Sequence, residues 1–213
     1  MLLSNKKEED IKDYLKVEYP VVEIFHSLQG EGFWAGVNAF FIRLAGCDVY
    51  CPWCDQKETW SMKKYPFFTV ENLLNEVNTI ETKHIIITGG EPLLHNLLPL
   101  TKILKYGGYQ THLETSGSNV FTGEFDWVTL SPKPYKKPYE SIYAQVDELK
   151  VVIDNENDLK WAVSEAEKLP RHTVKYLQPQ WENPASQKLV IDYILSHPQW
   201  RMSLQTHKYL NIL

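Results

Sequence analysis

The stretch RLAGCDVYCPWCDQ, residues 43–56, contains every cysteine of the chain. Cys47, Cys51 and Cys54 stand in it as Cys-x3-Cys-x2-Cys. An odd number of cysteines leaves one unpaired, and disulfide frameworks belong mainly to small secreted domains. Chance clustering of three buried core cysteines is improbable. The stretch therefore predicts a loop that binds a metal or a cluster.

Two kinds of centre are compatible with this loop. Structural zinc usually takes four ligands in two separated pairs, so zinc would need a distant histidine such as His26 or His84. A four-iron cluster normally takes four thiolates. Three thiolates would leave one iron open to bind and activate a small molecule. The single group of cysteines favours the cluster, and zinc remains the alternative.

Composition limits the class of protein. The 213 residues are 43% hydrophobic and 13% aromatic, which suits one folded domain with a packed core. The net charge is -5 and the short Lys-Pro run at 133–138 is the main basic segment, so no nucleic-acid partner is expected. The N-terminal segment has early charges and no long apolar run. We therefore expect no signal peptide, no membrane span and a cytoplasmic location.

Apolar runs alternate with helical patterns along the chain. Strands are predicted at residues 21–25, 39–44, 84–88, 109–114, 127–131, 148–153, 174–178 and 201–205. Helices are predicted after Thr69, from Pro92 to about Tyr106, at 157–168 and from Asn183 onwards. This alternation implies a parallel sheet with right-handed crossovers. Since a full eight-unit barrel takes about 250 residues, we predict an α/β fold, an incomplete TIM-like barrel of about six βα units in one domain, 1–213.

Polar motifs follow several of the predicted strands, where ligands of parallel sheets bind. Each also has an ordinary structural explanation: a glycine turn before a helix, a polar turn, or a solvated Lys-Pro loop. The motifs are Gly89-Gly90-Glu91-Pro92, Glu114-Thr115-Ser116-Gly117, Ser131-Pro132-Lys133 and, more weakly, Gln178-Pro179-Gln180.

The cysteine loop, with Trp53 before its last cysteine, resembles the signature of the radical S-adenosylmethionine superfamily. The resemblance implies the radical SAM fold, with a 4Fe-4S cluster on Cys47, Cys51 and Cys54 whose fourth iron binds S-adenosylmethionine. The protein would orient this cofactor and exclude water. By the same resemblance, the cofactor would contact Trp53, Gly89, Gly90, Glu91, Glu114, Ser116, Ser131, Pro132, Lys133 and Gln178.

A second segment, FHSLQGEGFWAG at 25–36, resembles the 7-carboxy-7-deazaguanine synthases within that superfamily. The likeness continues in order through Arg43, the cysteine loop and the strand-end motifs to Gln205-Thr206-His207-Lys208. It implies a lyase that converts 6-carboxy-5,6,7,8-tetrahydropterin to 7-carboxy-7-deazaguanine with loss of ammonia, in queuosine precursor biosynthesis. It also implies Mg2+, a homodimer, and flavodoxin or ferredoxin as electron donor.

The residue types suit such a substrate. Gln29, Glu31 and the backbone at Leu28 and Gly30 could read the edge of a pterin, because a carboxylate accepts two N–H donors. We expect these four positions to form one side of the substrate site.

The remaining substrate residues come from distant positions. Arg43 could bind the pterin carboxylate bidentately, and Thr88 and His207 would hold the substrate from other sides. By resemblance, the carboxylate of Leu213 also approaches the substrate. Arg43 could instead form a surface ion pair and His207 could be a solvent histidine.

One position departs from the family pattern. Where the family often has a threonine after Cys-Asp, with its hydroxyl on Mg2+, this chain has Gln56. A glutamine carbonyl is an acceptable Mg2+ ligand on a longer side chain. We expect Gln56 or water to replace the hydroxyl, and the Mg2+ dependence to be reduced or altered.

Two other functions fit part of the sequence. A glycyl-radical-enzyme activase shares the cysteine spacing but needs a surface for a large protein, whereas the Gln-Gly-Glu-Gly segment and Arg43 favour an enclosed small ligand. A non-catalytic iron-sulfur or zinc-binding module would need four protein ligands and leaves the strand-end motifs unexplained.

Overall fold

The computed structural model describes the backbone of residues 2–213 and the side chains from Glu9 onwards. Its centre is a nine-stranded sheet in the order β3-β1-β2-β4-β5-β6-β7-β8-β9. The strands are β1 (Glu18–Leu28), β2 (Asn38–Leu44), β3 (Phe67–Thr69), β4 (His84–Gly89), β5 (Gln110–Thr115), β6 (Trp127–Leu130), β7 (Glu148–Ile153), β8 (Val174–Pro179) and β9 (Arg201–Met202). The helices are α1 (Leu2–Leu15), α2 (Val70–Val77), α3 (Leu98–Tyr106), α4 (Glu156–Ala166), α5 (Pro184–Ser196) and α6 (Thr206–Leu210).

The sheet is parallel from β2 to β9, and β1 and β3 add an antiparallel edge. β3 and β9 are its two ends, so the described sheet is open. The predicted α/β class and all eight predicted strands are confirmed, with shifted ends. The parallel part places the carboxyl ends of seven strands at one edge, where the site lies.

The crossovers are less regular than six repeated units. α2, α3, α4 and α5 occupy four of them, whereas β5 and β6 are joined by an irregular segment and β6 and β7 by a 3-10 helix, Glu140–Gln145. The sequence explains this, because residues 116–119 are Ser-Gly-Ser-Asn and residues 131–138 contain three prolines, which favour turns over helix.

The predicted helix from Pro92 to Tyr106 is divided in two. A 3-10 turn, Pro92–Leu94, comes first, and α3 begins at Leu98 with Pro99 in its first turn. A proline inside a continuous helix would remove one hydrogen bond and clash with the preceding turn. The chain therefore starts a new helix at Pro99.

The start of α2 is determined by its local sequence. Thr69 accepts a hydrogen bond from the Asn72 amide, and the Asn72 side chain accepts from the Thr69 amide, which satisfies two free amides. Val70, Leu73 and Val77 are fully buried on one face.

Strand residues alternate between two environments. One face meets the helices in a large apolar core that includes Ile42, Leu44 and Ile87. The opposite, inner face has a small apolar cluster around Phe41 and Ile86 and also carries polar side chains, among them Arg43, Thr88 and Lys150. No helix in the described part of the chain is long and apolar enough to cross a membrane.

Candidate active site

Two adjoining cavities open at the carboxyl ends of the parallel strands. We call them the cysteine cavity, which contains Cys47, Cys51 and Cys54 in its wall, and the arginine cavity, which contains Arg43. Both are lined by Glu31, Thr88, Glu114 and Gln205. A molecule in one cavity would therefore lie beside a molecule in the other.

The cavities separate the predicted residues into two groups. The cysteine cavity is lined by Trp53, Gly89, Gly90, Glu91, Glu114, Ser116, Ser131, Lys133 and Gln178 together with the cysteines. The arginine cavity is lined by Leu28, Gln29, Gly30, Glu31, Arg43, Gln56, Thr88, His207 and Leu213. Pro132 is buried beside this wall and does not line it.

The cysteine loop is fixed by backbone hydrogen bonds on both sides. Gly46 N–H donates to the Thr59 carbonyl at 2.7 Å, and Glu91 N–H donates to the Gly46 carbonyl at 2.8 Å. All three cysteines are free thiols. Burial raises the pKa of Cys47 and of Cys54, so a bound metal must displace a proton from each.

All three thiols line the same cavity. A four-iron cluster takes each thiolate on a different iron. The three thiols in one cavity wall therefore fit the cluster.

The two glycines after β4 allow close packing against the cysteine loop. A Cβ on Gly89, whose φ is +142°, would lie 2.1 Å from the Leu44 carbonyl oxygen. A Cβ on Gly90 would lie 2.2 Å from the Gly46 carbonyl oxygen and 2.9 Å from Cys47 Cβ. These glycines therefore let the end of β4 pack closely against the cysteine loop, whether or not their backbone also approaches a ligand.

Replacing Gly90 with alanine should push the cysteine loop away from β4. We expect the free energy of unfolding to fall by about 2–3 kcal/mol and the iron bound per chain to fall after anaerobic reconstitution. Gly108→Ala is the matched control, because a Cβ there meets nothing within 4 Å despite its φ of +82°. The control should cost about 1–2 kcal/mol and keep its iron; equal iron in both variants would contradict the packing argument.

Glu91 connects the ends of β4 and β5. One carboxylate oxygen accepts from Leu93 N–H at 3.0 Å and Thr115 Oγ1 at 2.5 Å, and the other from Ser116 N–H at 2.8 Å and Ser116 Oγ at 2.5 Å. Only 1% of the residue is exposed. The carboxylate thus orders the wall of the cysteine cavity through four protein donors.

Lys133 is buried in the cysteine cavity, so its interpretation as part of a solvated loop is wrong. Its Nζ donates to the Ser131 carbonyl at 2.5 Å and to Ser131 Oγ at 2.7 Å, and lies 5.4 Å from the centre of the Trp53 ring. Burial lowers the pKa of Lys133. The cation is directed toward the site rather than toward solvent.

Lys150 is a central residue that the sequence interpretation missed. Its Nζ lies 2.7 Å from Glu31 Oε2 and 2.9 Å from Glu114 Oε2, and 6% of its side chain is exposed. Burial would raise the pKa of Glu31, but the charge and hydrogen bond of Lys150 hold it at about 2. Burial also raises the pKa of Glu114. A lysine within the apolar run 148–153 was the available signal.

The loop after β1 carries the predicted pterin-reading residues, and we call residues 29–33 the reading loop. Gln29 Nε2 donates to Glu114 Oε1 at 3.3 Å, and Gln205 Nε2 donates to Glu31 Oε1 at 2.9 Å. The Gly30 carbonyl accepts from the amide of Thr206 at 2.9 Å and from its hydroxyl at 2.8 Å. The loop is therefore held between β5, β7 and the chain around residue 205.

His207 packs directly on this loop. A Cβ on Gly30 would lie 2.2 Å from His207 Nδ1, so the glycine makes room for the imidazole. Burial lowers the pKa of His207, while Glu31 acts in the opposite direction. The histidine is half-buried in the arginine cavity and is not a solvent histidine.

Arg43 lies on the inner face of β2 and makes an ion pair there. Its Nε is 2.7 Å from Glu23 Oε1, and its guanidinium carbon lies 5.6 Å from the Phe25 ring centre. The guanidinium donates to Glu23 through its Nε. The predicted ion pair and a position in the arginine cavity thus occur together, and 17% of the Arg43 side chain is exposed.

Comparisons with known proteins agree with this architecture. Residues 41–126, which include the cysteine loop, match the Radical SAM superfamily. The crystal structure of QueE from Escherichia coli superposes with a TM-score of 0.85 at 32% identity, covering 93% of this chain and 99% of that one. The fold is therefore the radical SAM fold, an α/β partial barrel.

Curated relatives define the particular family. The 7-carboxy-7-deazaguanine synthase of Synechocystis is 56% identical over 95% of this chain and 97% of its own length. Those of Flavobacterium psychrophilum and Escherichia coli K12 are 43% and 36% identical over 91% and 92% of this chain, and over 92% and 100% of their own lengths. The chain belongs to the 7-carboxy-7-deazaguanine synthase family of radical SAM enzymes, which use a 4Fe-4S cluster and S-adenosylmethionine.

Proposed function

We propose that this chain converts 6-carboxy-5,6,7,8-tetrahydropterin to 7-carboxy-7-deazaguanine with loss of ammonia. The observation that carries the proposal is the pair of adjoining cavities, one lined by the three cysteines and one by Arg43, Glu31 and His207. With the cofactor in one cavity and the pterin in the other, this arrangement would bring a radical source and a polar, anionic ring within reach of each other. It is unlike the broad protein-docking surface that a glycyl-radical-enzyme activase requires.

The cysteine cavity would hold the cluster and S-adenosylmethionine. Cys47, Cys51 and Cys54 would be the thiolate ligands, and Lys133 would face the negative groups of the cofactor. When bound, the two groups supply a hydrogen-abstracting radical by one-electron cleavage of the sulfonium. The protein orients them by the ordered wall around Glu91 and limits the access of water.

The arginine cavity would hold the pterin. Glu31 has a pKa of about 2, so it is ionised at neutral pH and can only accept hydrogen bonds. It suits the N–H donors on the edge of a pterin, with Gln29 beside it. Arg43 would face the pterin carboxylate, and Thr88 and His207 would enclose the ring from other sides.

Leu213 and Leu28 would contribute the outer rim of this cavity. Ser27 Oγ donates to the Leu213 oxygen at 2.7 Å, which fixes the rim to the end of β1. From this rim the Leu213 carboxylate would contact the substrate.

We also propose that Mg2+ assists substrate binding beside Gln56. Gln56 and the neighbouring Asp55 both line the arginine cavity, and Asp55 is also paired with Lys208 at 3.0 Å. Mg2+ is commonly held by one or two protein groups, water and substrate oxygens, so the Gln56 carbonyl, water and the pterin carboxylate form a sufficient set.

Gln56→Thr should lower the Mg2+ concentration needed for half-maximal activity, because a short hydroxyl reaches the ion with less loss of side-chain entropy. The shift should be about threefold to tenfold. Activity would be titrated with Mg2+ after exhaustive chelation, with Gln56→Ala as the control for loss of any side-chain ligand. Superimposable titrations of all three proteins would show that residue 56 does not contact the ion.

The remaining partners follow from the family resemblance. We propose flavodoxin or ferredoxin as the electron donor, a homodimer as the assembly and the cytoplasm as the location. Turnover with each reduced donor, and sedimentation of the reconstituted protein, would test the first two.

The deciding experiment is an anaerobic assay of the reconstituted protein. Dithionite, S-adenosylmethionine and 6-carboxytetrahydropterin are added, and the deazapurine is followed by absorbance and mass. Cleavage of S-adenosylmethionine without this product would retain the radical chemistry and reject the substrate. No cleavage by a protein with full iron content would favour a binding module instead.

A further inference from the structure

We propose that Glu148, the first residue of β7, is a positioning residue that holds the reading loop in place beneath the arginine cavity. What the loop reads rests on the function proposed above, whereas the contact of Glu148 with the loop rests on geometry alone.

The Glu148 carboxylate is enclosed by the reading loop and β6. Its Oε2 accepts from the Phe33 amide at 3.1 Å and from Trp127 Nε1 at 3.2 Å. Only 2% of Glu148 is exposed. A buried carboxylate that accepts a backbone amide from a loop provides a strong, directional contact.

The other carboxylate oxygen explains the sequence of the loop. Among the described residues Glu148 Oε1 has no hydrogen-bond partner, and a Cβ on Gly32 would lie 2.0 Å from it. Gly32 also has a φ of +66°, which favours glycine. The turn therefore rests its Cα directly on the carboxylate, and residue 32 has both a conformational and a steric reason to be glycine.

An unpartnered buried oxygen is unfavourable for stability. Burial raises the pKa of Glu148 to about 7, with Glu114 acting in the same direction and Lys150 against it. An apolar side chain would fill this space without that penalty, but it could not accept the Phe33 amide. The use of a carboxylate here is thus better explained by the loop than by packing.

Strand β7 contacts both the backbone and a charged side chain of the reading loop. Glu148 and Lys150 are two residues apart on β7, so their side chains share the inner face of the sheet. Glu148 contacts the loop backbone at Phe33, and Lys150 contacts the loop side chain at Glu31. The neighbouring Gly32 amide donates to Ser203 Oγ at 3.0 Å. Consecutive amides of the loop are therefore fixed by side chains of the barrel.

The test compares Glu148→Ala with Glu148→Gln in the reconstituted protein. Glutamine can place its carbonyl oxygen where Oε2 lies and keep both hydrogen bonds, whereas alanine loses both. In the alanine variant we expect hydrogen exchange in a peptide covering 29–37 to accelerate at least about tenfold, and KM for the pterin to rise about tenfold with a smaller change in kcat. The glutamine variant should stay within about threefold of the parent protein in both.

Glu165→Ala is the matched control, because Glu165 is a fully buried glutamate on α4 that accepts from Tyr143 Oη at 2.5 Å, away from the cavities. It should reduce stability without changing exchange at 29–37 or KM. Unchanged exchange and KM in Glu148→Ala, or equal changes in the Glu165 control, would overturn the proposal. The exchange measurement needs no substrate, so it decides the contact even if the parent protein fails to form the deazapurine.

Discussion

Replacing Lys150 with methionine is expected to lower the free energy of unfolding at pH 7 by about 3–5 kcal/mol, because two enclosed carboxylates lose their shared cation. In the parent protein Lys150 is 2.7 Å from Glu31 and 2.9 Å from Glu114. Turnover should be lost as well, since Glu31 would then take up a proton and could no longer act purely as an acceptor.

The pH dependence separates this effect from simple loss of packing. In the parent protein the lowered pKa of Glu31, about 2, contributes stability above its ordinary value near 4.5 that is lost as the pH falls toward 2. In the variant, burial without Lys150 raises that pKa, which destabilises the fold at neutral pH. The difference between the two proteins should therefore be largest near pH 7 and shrink toward pH 4–5 in denaturant titrations.

Lys168→Met provides the comparison for this variant. Lys168 also pairs with a buried carboxylate, Glu165, at 2.6 Å, but its own side chain is 40% exposed and lies away from the cavities. The Lys168→Met variant should retain turnover even if its free energy of unfolding falls. A Lys150 variant as stable at pH 7 as the parent protein would show that the three charges are not coupled.

Replacing Cys51 with alanine is expected to remove the iron-sulfur absorbance and all formation of product. The loop would keep two thiolates, so two of the four irons, rather than one, would have no thiolate ligand. Iron content, the visible spectrum and cleavage of S-adenosylmethionine would be measured after identical anaerobic reconstitution.

Trp53→Phe tests whether the loss of the cluster arises from removal of the Cys51 thiolate or from disturbance of the cysteine loop. The substitution changes a large side chain beside Lys133 and leaves all three thiols in place. We expect full iron content with weaker binding of S-adenosylmethionine. Normal cluster assembly in the Cys51 variant would mean that this thiol is not a ligand.

Most of the strands could be predicted because each apolar run was long and bounded by turn residues. β3 was missed, since it has three residues and exists by pairing with β1. α1 was missed because its sequence is mostly polar; among its side chains from Glu9 onwards, Ile11, Tyr14 and Leu15 pack on the core. α6 is one short helix beside the reading loop. These elements depend on tertiary contacts more than on periodicity.

Some features of the site could likewise be predicted from the sequence and others could not. The motifs could be found one by one because each follows a strand, and strand ends of a parallel sheet meet at one edge. The pairing of Lys150 with two glutamates could not be read, since it joins three separate segments. Burial of Lys133 could not be predicted either, because its Lys-Pro surroundings have the composition of an exposed loop.

The order in which the chain is made gives the reading loop a late place in folding. The Gly30 carbonyl and Glu31 are held by Thr206 and Gln205, across 176 and 174 residues of sequence. Contacts of such high sequence separation form slowly. At a synthesis rate of about 5–20 residues per second, the loop emerges roughly ten seconds or more before its partners. A nascent chain therefore has the cysteine loop long before it has a complete substrate pocket, and cluster insertion can precede substrate competence.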